Sequence, residues 1–303
     1  MENSVFVKEI NDSFSCHVEE EEYSVPFSEK TKLQIVQIWG VYCRGNLVNG
    51  DCARLITIDY SDGRAELVLG RTDFFSFIIS NVIRRHFSLF KEYAIQAVSE
   101  AERQRLITAL DSYYRGIEEA NCFDDALSSD LSNSLAVSIL IKTKTGVMLS
   151  KRSSSVGVSP GYCSTSVTGI VSAEDLNDEN PILSCATREL KEELGLVVSR
   201  ECLTVKCLAM GKEKLQPVVL LECNLNDTIG SVKTNFEIES LKEFSYSNIF
   251  SILKQERFTE VAQYQLMESV KEHYLSQINI TKLLSLILVI ALIVLICYEC
   301  WFN

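Results

Sequence analysis

The residues best placed to do chemistry lie in one stretch, Asn180 to Leu196, which reads NPILSCATRELKEELGL. Its ends are written as those of a helix. Asn180 can cap, Pro181 suits the first helical position, and Gly195 suits a left-handed stop. Between them Leu183, Ala186, Leu190 and Leu194 recur at spacings of three, four and four, which predicts one buried stripe. At about 100° per residue, Glu189, Glu192 and Glu193 project together on a neighbouring face. Three carboxylates that close repel one another. Solvent can screen them, as it does for many surface glutamates. A divalent cation would instead turn the repulsion into binding, because Mg²⁺ takes hard oxygen ligands in near-octahedral geometry.

Arg188-Glu189-Leu190-Lys191-Glu192-Glu193-Leu194-Gly195-Leu196 matches the REUxEExGU half of the Nudix box, U being aliphatic, over nine consecutive positions. On these residues the chain resembles the Nudix hydrolase family. The upstream half departs from the family pattern of a glycine, five residues, a glutamate and seven residues before the arginine. Here Gly169 is followed after five residues by Asp175, and Arg188 comes after a further twelve, so a five-residue insertion around LNDEN is expected. VMLSKRSSSVGVSPGYCSTSVTGIV looks like the family's strand, basic corner, Pro-Gly turn and strand, and FEIESLKEFSYSNI like its later acidic strand. The resemblance covers about residues 134–275 and leaves out the N-terminal part.

The resemblance implies hydrolysis of a nucleoside diphosphate linked to another group, with Mg²⁺ or Mn²⁺ as cofactor. It makes Glu189, Glu192 and Glu193 the metal ligands and has Arg188 orient Glu189 by ion pairing. Lys151, Arg152 and Gly169 are the candidates for substrate contact, and Glu237 for a further ligand or general base. A second reading is a catalytically silent Nudix-fold module that senses a nucleotide or scaffolds partners at a membrane. Isopentenyl-diphosphate isomerase chemistry shares the fold but needs a catalytic cysteine and a histidine cluster. The chain has only His17, His86 and His273.

The elements expected to position the helix are the hairpin SLAVSILIKT and GVMLSKRS, the strand STSVTGIVS, and the later strands CLTVKCLAMG and QPVVLLECNL. The fold class expected is α/β: a Nudix-type mixed-sheet α/β/α sandwich, preceded by a small α+β domain and followed by one C-terminal transmembrane helix. Residues 1–30 read as a polar arm. Residues 31–121 read as the N-terminal domain, with β-type runs LQIVQIWGVYC, RLITIDY and AELVLG around the turn Ser61-Asp62-Gly63. Helices follow over RTDFFSFIISNVIRRHFSLFKEYAI and from the capping box of Ser99 and Glu102. This domain is expected to shape a substrate site or to dimerise, so a homodimer is an admissible partner. Its Phe74, Phe75, Phe77 and Phe87 read as core. Residues 122–133 read as a serine-rich linker, 134–278 as the Nudix domain and 279–303 as a membrane anchor.

At 303 residues, 47% of them apolar, the chain is long enough for two folded units. Its 29 Lys and Arg against 41 Asp and Glu leave a net charge of −12, which repels nucleic acid and excludes it as a general partner. Eleven scattered cysteines with no apolar run at the N-terminus suit reduced, buried thiols in the cytosol. Leu283 to Tyr298 reads LLSLILVIALIVLICY. With Lys282 before it and Trp301 and Phe302 after it, it predicts a lipid-bilayer span over residues 283–302. The expected location is a membrane, by a single-pass C-terminal anchor with the preceding domains in the cytosol.

Overall fold

A computed structural model of the chain describes residues 4–10, 14–45, 47–128, 130–225 and 234–277. The N-terminal elements are β1 (Val5–Glu9), β2 (Ser15–Glu22), α1 (Glu29–Cys43), β3 (Asp51–Ser61), β4 (Arg64–Asp73) and α2 (Phe74–Phe77). A π-helix over Ile78–Ile83 leads to α3 (Phe87–Ala97), α4 (Glu100–Arg115) and α5 (Phe123–Ser128). Then come β5 (Ala136–Lys142), β6 (Gly146–Arg152), β7 (Cys163–Ser164), β8 (Val167–Ile170) and α6 (Pro181–Leu194). The series ends with β9 (Leu203–Gly211), β10 (Pro217–Asn224), β11 (Ile238–Ser245), α7 (Ile249–Gln255) and α8 (Glu260–Gln277). The chain divides into two compact units after Gln265. The described part of the second is the later portion of α8, where Lys271 pairs with Glu268 at 3.2 Å. Among the described residues no helix is long and apolar enough to cross a membrane. The span expected over residues 283–302 lies outside the described residues.

In the first unit the larger sheet runs β1-β9-β10-β5-β6-β11, with β8 added to β5 and β7 to β6. β10 pairs β5 in parallel; the other pairs are antiparallel, so the sheet is mixed. Alternate residues of β5 point to opposite faces. Val137, Ile139 and Ile141 join the core beneath α6, with Ile182, Cys185, Ala186, Leu190 and Leu194. On the other face Ser138 meets the start of α8. Its hydroxyl donates to Gln265 Oε1 (2.7 Å), while Gln265 Nε2 donates to the carbonyls of Ser138 and Leu221. Helices therefore cover both faces.

The segment expected as a polar arm supplies an edge strand, since β1 pairs β9 with Val5 opposite Gly211. The run LQIVQIWGVYC is a correction: it is helix α1, not a strand. Ser28 caps it by accepting from Thr31 N, and Ile35, Ile38, Trp39 and Cys43 are buried at helical spacing. A short apolar run carries little period of its own, and here the cap decides. β3 and β4 form the expected hairpin. Asp62 and Gly63, at φ 50° and 75°, supply the two left-handed residues of a tight turn. The serine-rich stretch expected as a linker is partly built into the core. Leu131, Ser132, Asn133 and Ser134 are buried. Asn133 donates from Nδ2 to Leu127 O, and its carbonyl accepts from Leu55 N. β3 is thereby tied to the segment that leads into β5, and Ala53 N also donates to Val171 O after β8.

One buried ion pair locks α1 to the end of β4. Lys32 Nζ lies 3.1 Å from Asp73 Oδ2, with side chains 3% and 13% exposed, and also bonds to Ser24 Oγ. Burial acts to lower the Lys32 pKa, but the Glu29 and Asp73 carboxylates overcome it and hold it above its ordinary value. Asp73→Ala should cost about 3 kcal/mol in urea unfolding, because it leaves a buried ammonium with only the exposed Glu29 carboxylate and Ser24 Oγ as partners. Lys32→Met should cost clearly less, since Asp73 keeps the Ser76 N–H and hydroxyl as donors.

Candidate active site

The helix boundaries form as the sequence predicts. Asn180 Oδ1 accepts from Leu183 N at 3.0 Å, Pro181 opens α6, and Gly195 closes it at φ 68°. The three acids do not share one environment. Glu189 and Glu193, one turn apart, turn inward, and Glu193 is buried. Glu192 is 57% exposed and lies 3.2 Å from Arg188 Nη1.

Arg188 gathers the loop and the helix. Its Nε and Nη2 donate to the two oxygens of Asp175 (3.3 and 2.8 Å), Nη1 to Glu189 Oε1 (2.8 Å), and Nη2 also to Ile170 O (3.1 Å). Asp175 further accepts from Ser172 N and Oγ and from Ser184 Oγ. Burial alone would raise the Asp175 carboxyl; these donors, Arg188 foremost, hold it below the usual range. Asp175 therefore serves as a tether for Arg188. The inserted residues around it form a short 3₁₀ turn, Asp175–Asn177.

Gly169 on β8 faces Glu189. A Cβ there would come within 2.1 Å of Glu189 Cδ, so the missing side chain is what lets the carboxyl lie against the strand. Burial pushes Glu189 up to about 7, with Glu192 and Glu237 adding repulsion and Arg188 opposing it. Burial pushes Glu193 up to about 8, reinforced by Glu189 and Glu237, although Thr168 N donates to it.

These groups border a cavity of about 500 Å³. Gly169, Glu189 and Glu237 line it, as does Arg152, which donates from Nη1 to Thr168 Oγ1 and from Nε to Val158 O. Lys151 is not among its lining residues, because neighbours on β6 point to opposite faces. Sequence reasoning missed Lys214 and the wall of Leu47, Val48, Phe74 and Phe77, which also line the cavity. No local pattern marks them, for they come together only through pairing across the fold.

Among the described residues no three acid, histidine or cysteine side chains converge as a ready metal site. The donor chemistry nevertheless fits a hard divalent cation. Glu189 and Glu193 are hard oxygen donors whose mutual repulsion a cation would relieve, and Glu192 and Glu237 stand next to them.

No family model matches the chain, nor does any curated protein. Solved structures that it resembles include an Ap4A hydrolase from C. elegans, at 20% identity and a TM-score of 0.34, covering 47% of this chain and 98% of that one. A MutT protein from Methanosarcina mazei has 17% identity and a TM-score of 0.35, covering 46% and 94%. A Nudix hydrolase from Alicyclobacillus acidocaldarius has 9% identity and a TM-score of 0.38, covering 44% and 89%. The functional reading rests on the site itself.

The raised carboxyls set a pH dependence. In metal-free buffer the folded protein releases protons from Glu189 and Glu193 near 7 and 8, against 4.5 for an ordinary glutamate. The folded state thus holds more protons than the unfolded chain between about pH 4.5 and 8. This contribution to stability is full below that window and is lost as pH rises through it. Thermal melts from pH 5 to 8 should show the decline, and Glu193→Gln should flatten it; an equally steep decline in the variant would contradict the burial of that carboxyl.

Proposed function

We propose that the protein is a divalent-metal-dependent hydrolase of the Nudix kind, acting on a nucleoside diphosphate linked to another group. The observation that carries this reading is the seating of the Glu189 carboxyl against Gly169, with buried Glu193 one helical turn on, at a cavity that Arg152 also lines. Glu189 and Glu193, with Glu192 and Glu237 as further donors, would hold Mg²⁺ or Mn²⁺. The metal supplies positive charge against the diphosphate and lowers the pKa of a water. Arg188 keeps Glu189 in place, Arg152 meets phosphate oxygens, and Glu237 stands ready as a proton acceptor. The second reading, a silent nucleotide-binding module, draws on the pairing of Glu192 with Arg188.

The two readings separate on metal. For the hydrolase, millimolar Mg²⁺ or Mn²⁺ should raise the melting temperature by mass action, and a panel of nucleoside diphosphate derivatives should contain a substrate. Glu193→Gln should melt at or above the unmodified protein in metal-free buffer at pH 8, where repulsion is relieved. It should lose most of the metal-induced rise and slow turnover by at least about 100-fold. Full metal stabilisation and turnover in the variant would overturn the assignment, and no turnover by the unmodified chain would favour the binding module.

We further propose that residues 279–303 hold the protein to a membrane with the catalytic part in the cytosol, on the strength of the apolar run from Leu283 to Tyr298. Removing residues 279–303 should release the protein from membranes without loss of its cooperative melt. Aggregation and a broadened melt in the shortened chain would show that the segment packs into the fold instead.

A further inference from the structure

Two cations share the cavity. Arg152 bonds to Val158 O and Thr168 Oγ1, and Lys214 Nζ donates to Ser159 Oγ at 2.5 Å. Neither makes an ion pair among the described residues. Burial holds the Arg152 guanidinium below its ordinary range; burial, with Arg152 adding to it, pushes Lys214 down to about 8. Glu193 and Glu237 act on Arg152 from one side, and Glu213 and Glu260 on Lys214 from another, without neutralising either. Two like charges bordering one cavity, with no carboxylate within ion-pair reach of either among the described residues, are unfavourable, and a multiply charged anion against both relieves the cost.

Lys214 reaches the cavity because its turn is gripped from elsewhere. Leu215, buried and at φ 52°, sits in the left-handed region, which costs a branched residue free energy. Asn81, buried in the π-helix, donates from Nδ2 to Lys214 O (2.9 Å) and Leu215 O (3.2 Å). The same part of the chain builds the opposite wall. Phe74 is set by its N–H on Gly50 O and by the Asp73 cap, and it lines the cavity with Leu47, Val48 and Phe77. A second brace comes from α1, where Trp39 Nε1 donates to Gly157 O of the loop that carries Val158 and Ser159.

We propose, deepening the hydrolase reading and resting on it for the reaction, that Lys214 joins Arg152 as a second anion-binding residue and that Leu47, Val48, Phe74 and Phe77 take an apolar or aromatic part of the same ligand. The substrate is then a diphosphate that carries an apolar or aromatic group. Residues 31–121 serve to complete its pocket, with Asn81 as a positioning residue for Lys214.

The test measures binding, not turnover. The whole 303-residue chain is titrated in EDTA near neutral pH with inorganic pyrophosphate and, separately, with ADP. Both should bind. Lys214→Met should weaken both at least about tenfold, yet melt at or above the unmodified protein without probe, because a lone buried cation is gone. Lys214→Gln repeats the measurement if the Met variant does not fold. Phe74→Ala combined with Val48→Ser should weaken ADP about tenfold while leaving pyrophosphate within about twofold. Unchanged pyrophosphate affinity in the Lys214 variants, or no binding to the unmodified chain, overturns the anion site. A wall variant that leaves ADP unchanged, or weakens both probes equally, overturns the apolar wall. If binding follows these expectations but no panel member is hydrolysed with Mg²⁺ or Mn²⁺, the hydrolase reading fails alone.

Discussion

Asp175, Glu189 and Glu192 take their positions from the guanidinium of Arg188. Its fork reaches Asp175 in the inserted loop, Glu189 and Glu192 on its own helix, and the carbonyl of Ile170 at the end of β8. A lysine could not replace it, because one ammonium cannot make a planar two-point contact with Asp175 and still reach the strand and the helix. Hydrogen bonds to charged groups contribute about 1.5–3 kcal/mol each. The set is therefore enough to hold an insertion of this length in one conformation. With Glu189 drawn to Arg188 and seated against Gly169, Glu193 one turn on has nowhere to go but inward.

What could be read in the sequence was local. The cap, the proline and the left-handed glycine of α6 act within a few residues of themselves, and so do the Ser99 cap and the Asp62-Gly63 turn. β5, β6, β8, β9 and β10 carried period-two or continuous apolar runs long enough to read, whereas β1 reads as part of a polar arm. The misreadings arose where two local signals competed or where polarity was satisfied at a distance. α1 has an apolar run that passes for a strand unless Ser28 is weighed. The stretch from Leu131 to Ser134 looks soluble by composition, yet its polar groups are bonded inside: Ser132 N donates to Ser80 Oγ, and Asn133 to Leu127 O. Lys151 and Arg152 are neighbours in sequence and strangers in space, which only the strand's direction decides.

The segment expected to be a separate domain is built into the sheet and the cavity. β3 bonds to the segment that follows Leu131, and Trp39 and Asn81 each hold a loop more than a hundred residues away. The core follows the same plan, since Leu55, Leu67 and Leu69 of the small sheet belong to one cluster with Val137, Leu190 and Leu208. The pocket wall is backed by a second cluster, where Phe77 joins Ile35, Trp39 and Phe90 and which Val158 and Ile170 beside the cavity pack against, so Phe74 and Phe77 are held firmly in place. That rigidity favours binding, because little order has to be imposed on the site when a ligand enters.

The charges of this molecule sort into two kinds, and the direction of their shifts tells them apart. Where a cation and an acid are placed for each other, each favours the charged form of its partner. Lys32 is raised and Asp73 lowered, and likewise Arg188 is raised and Asp175 lowered. Around the cavity the signs are reversed: Glu189 and Glu193 are raised, while Arg152 and Lys214 are lowered. Acids and bases stand near one another there, yet burial outweighs what they do for each other, even for Glu189 with Arg188 at 2.8 Å. A chain with a net charge of −12 has ample carboxylates to neutralise two partly buried cations. Leaving them without an ion pair among the described residues costs stability, and perturbed charges gathered at one cavity are the pattern of a binding site.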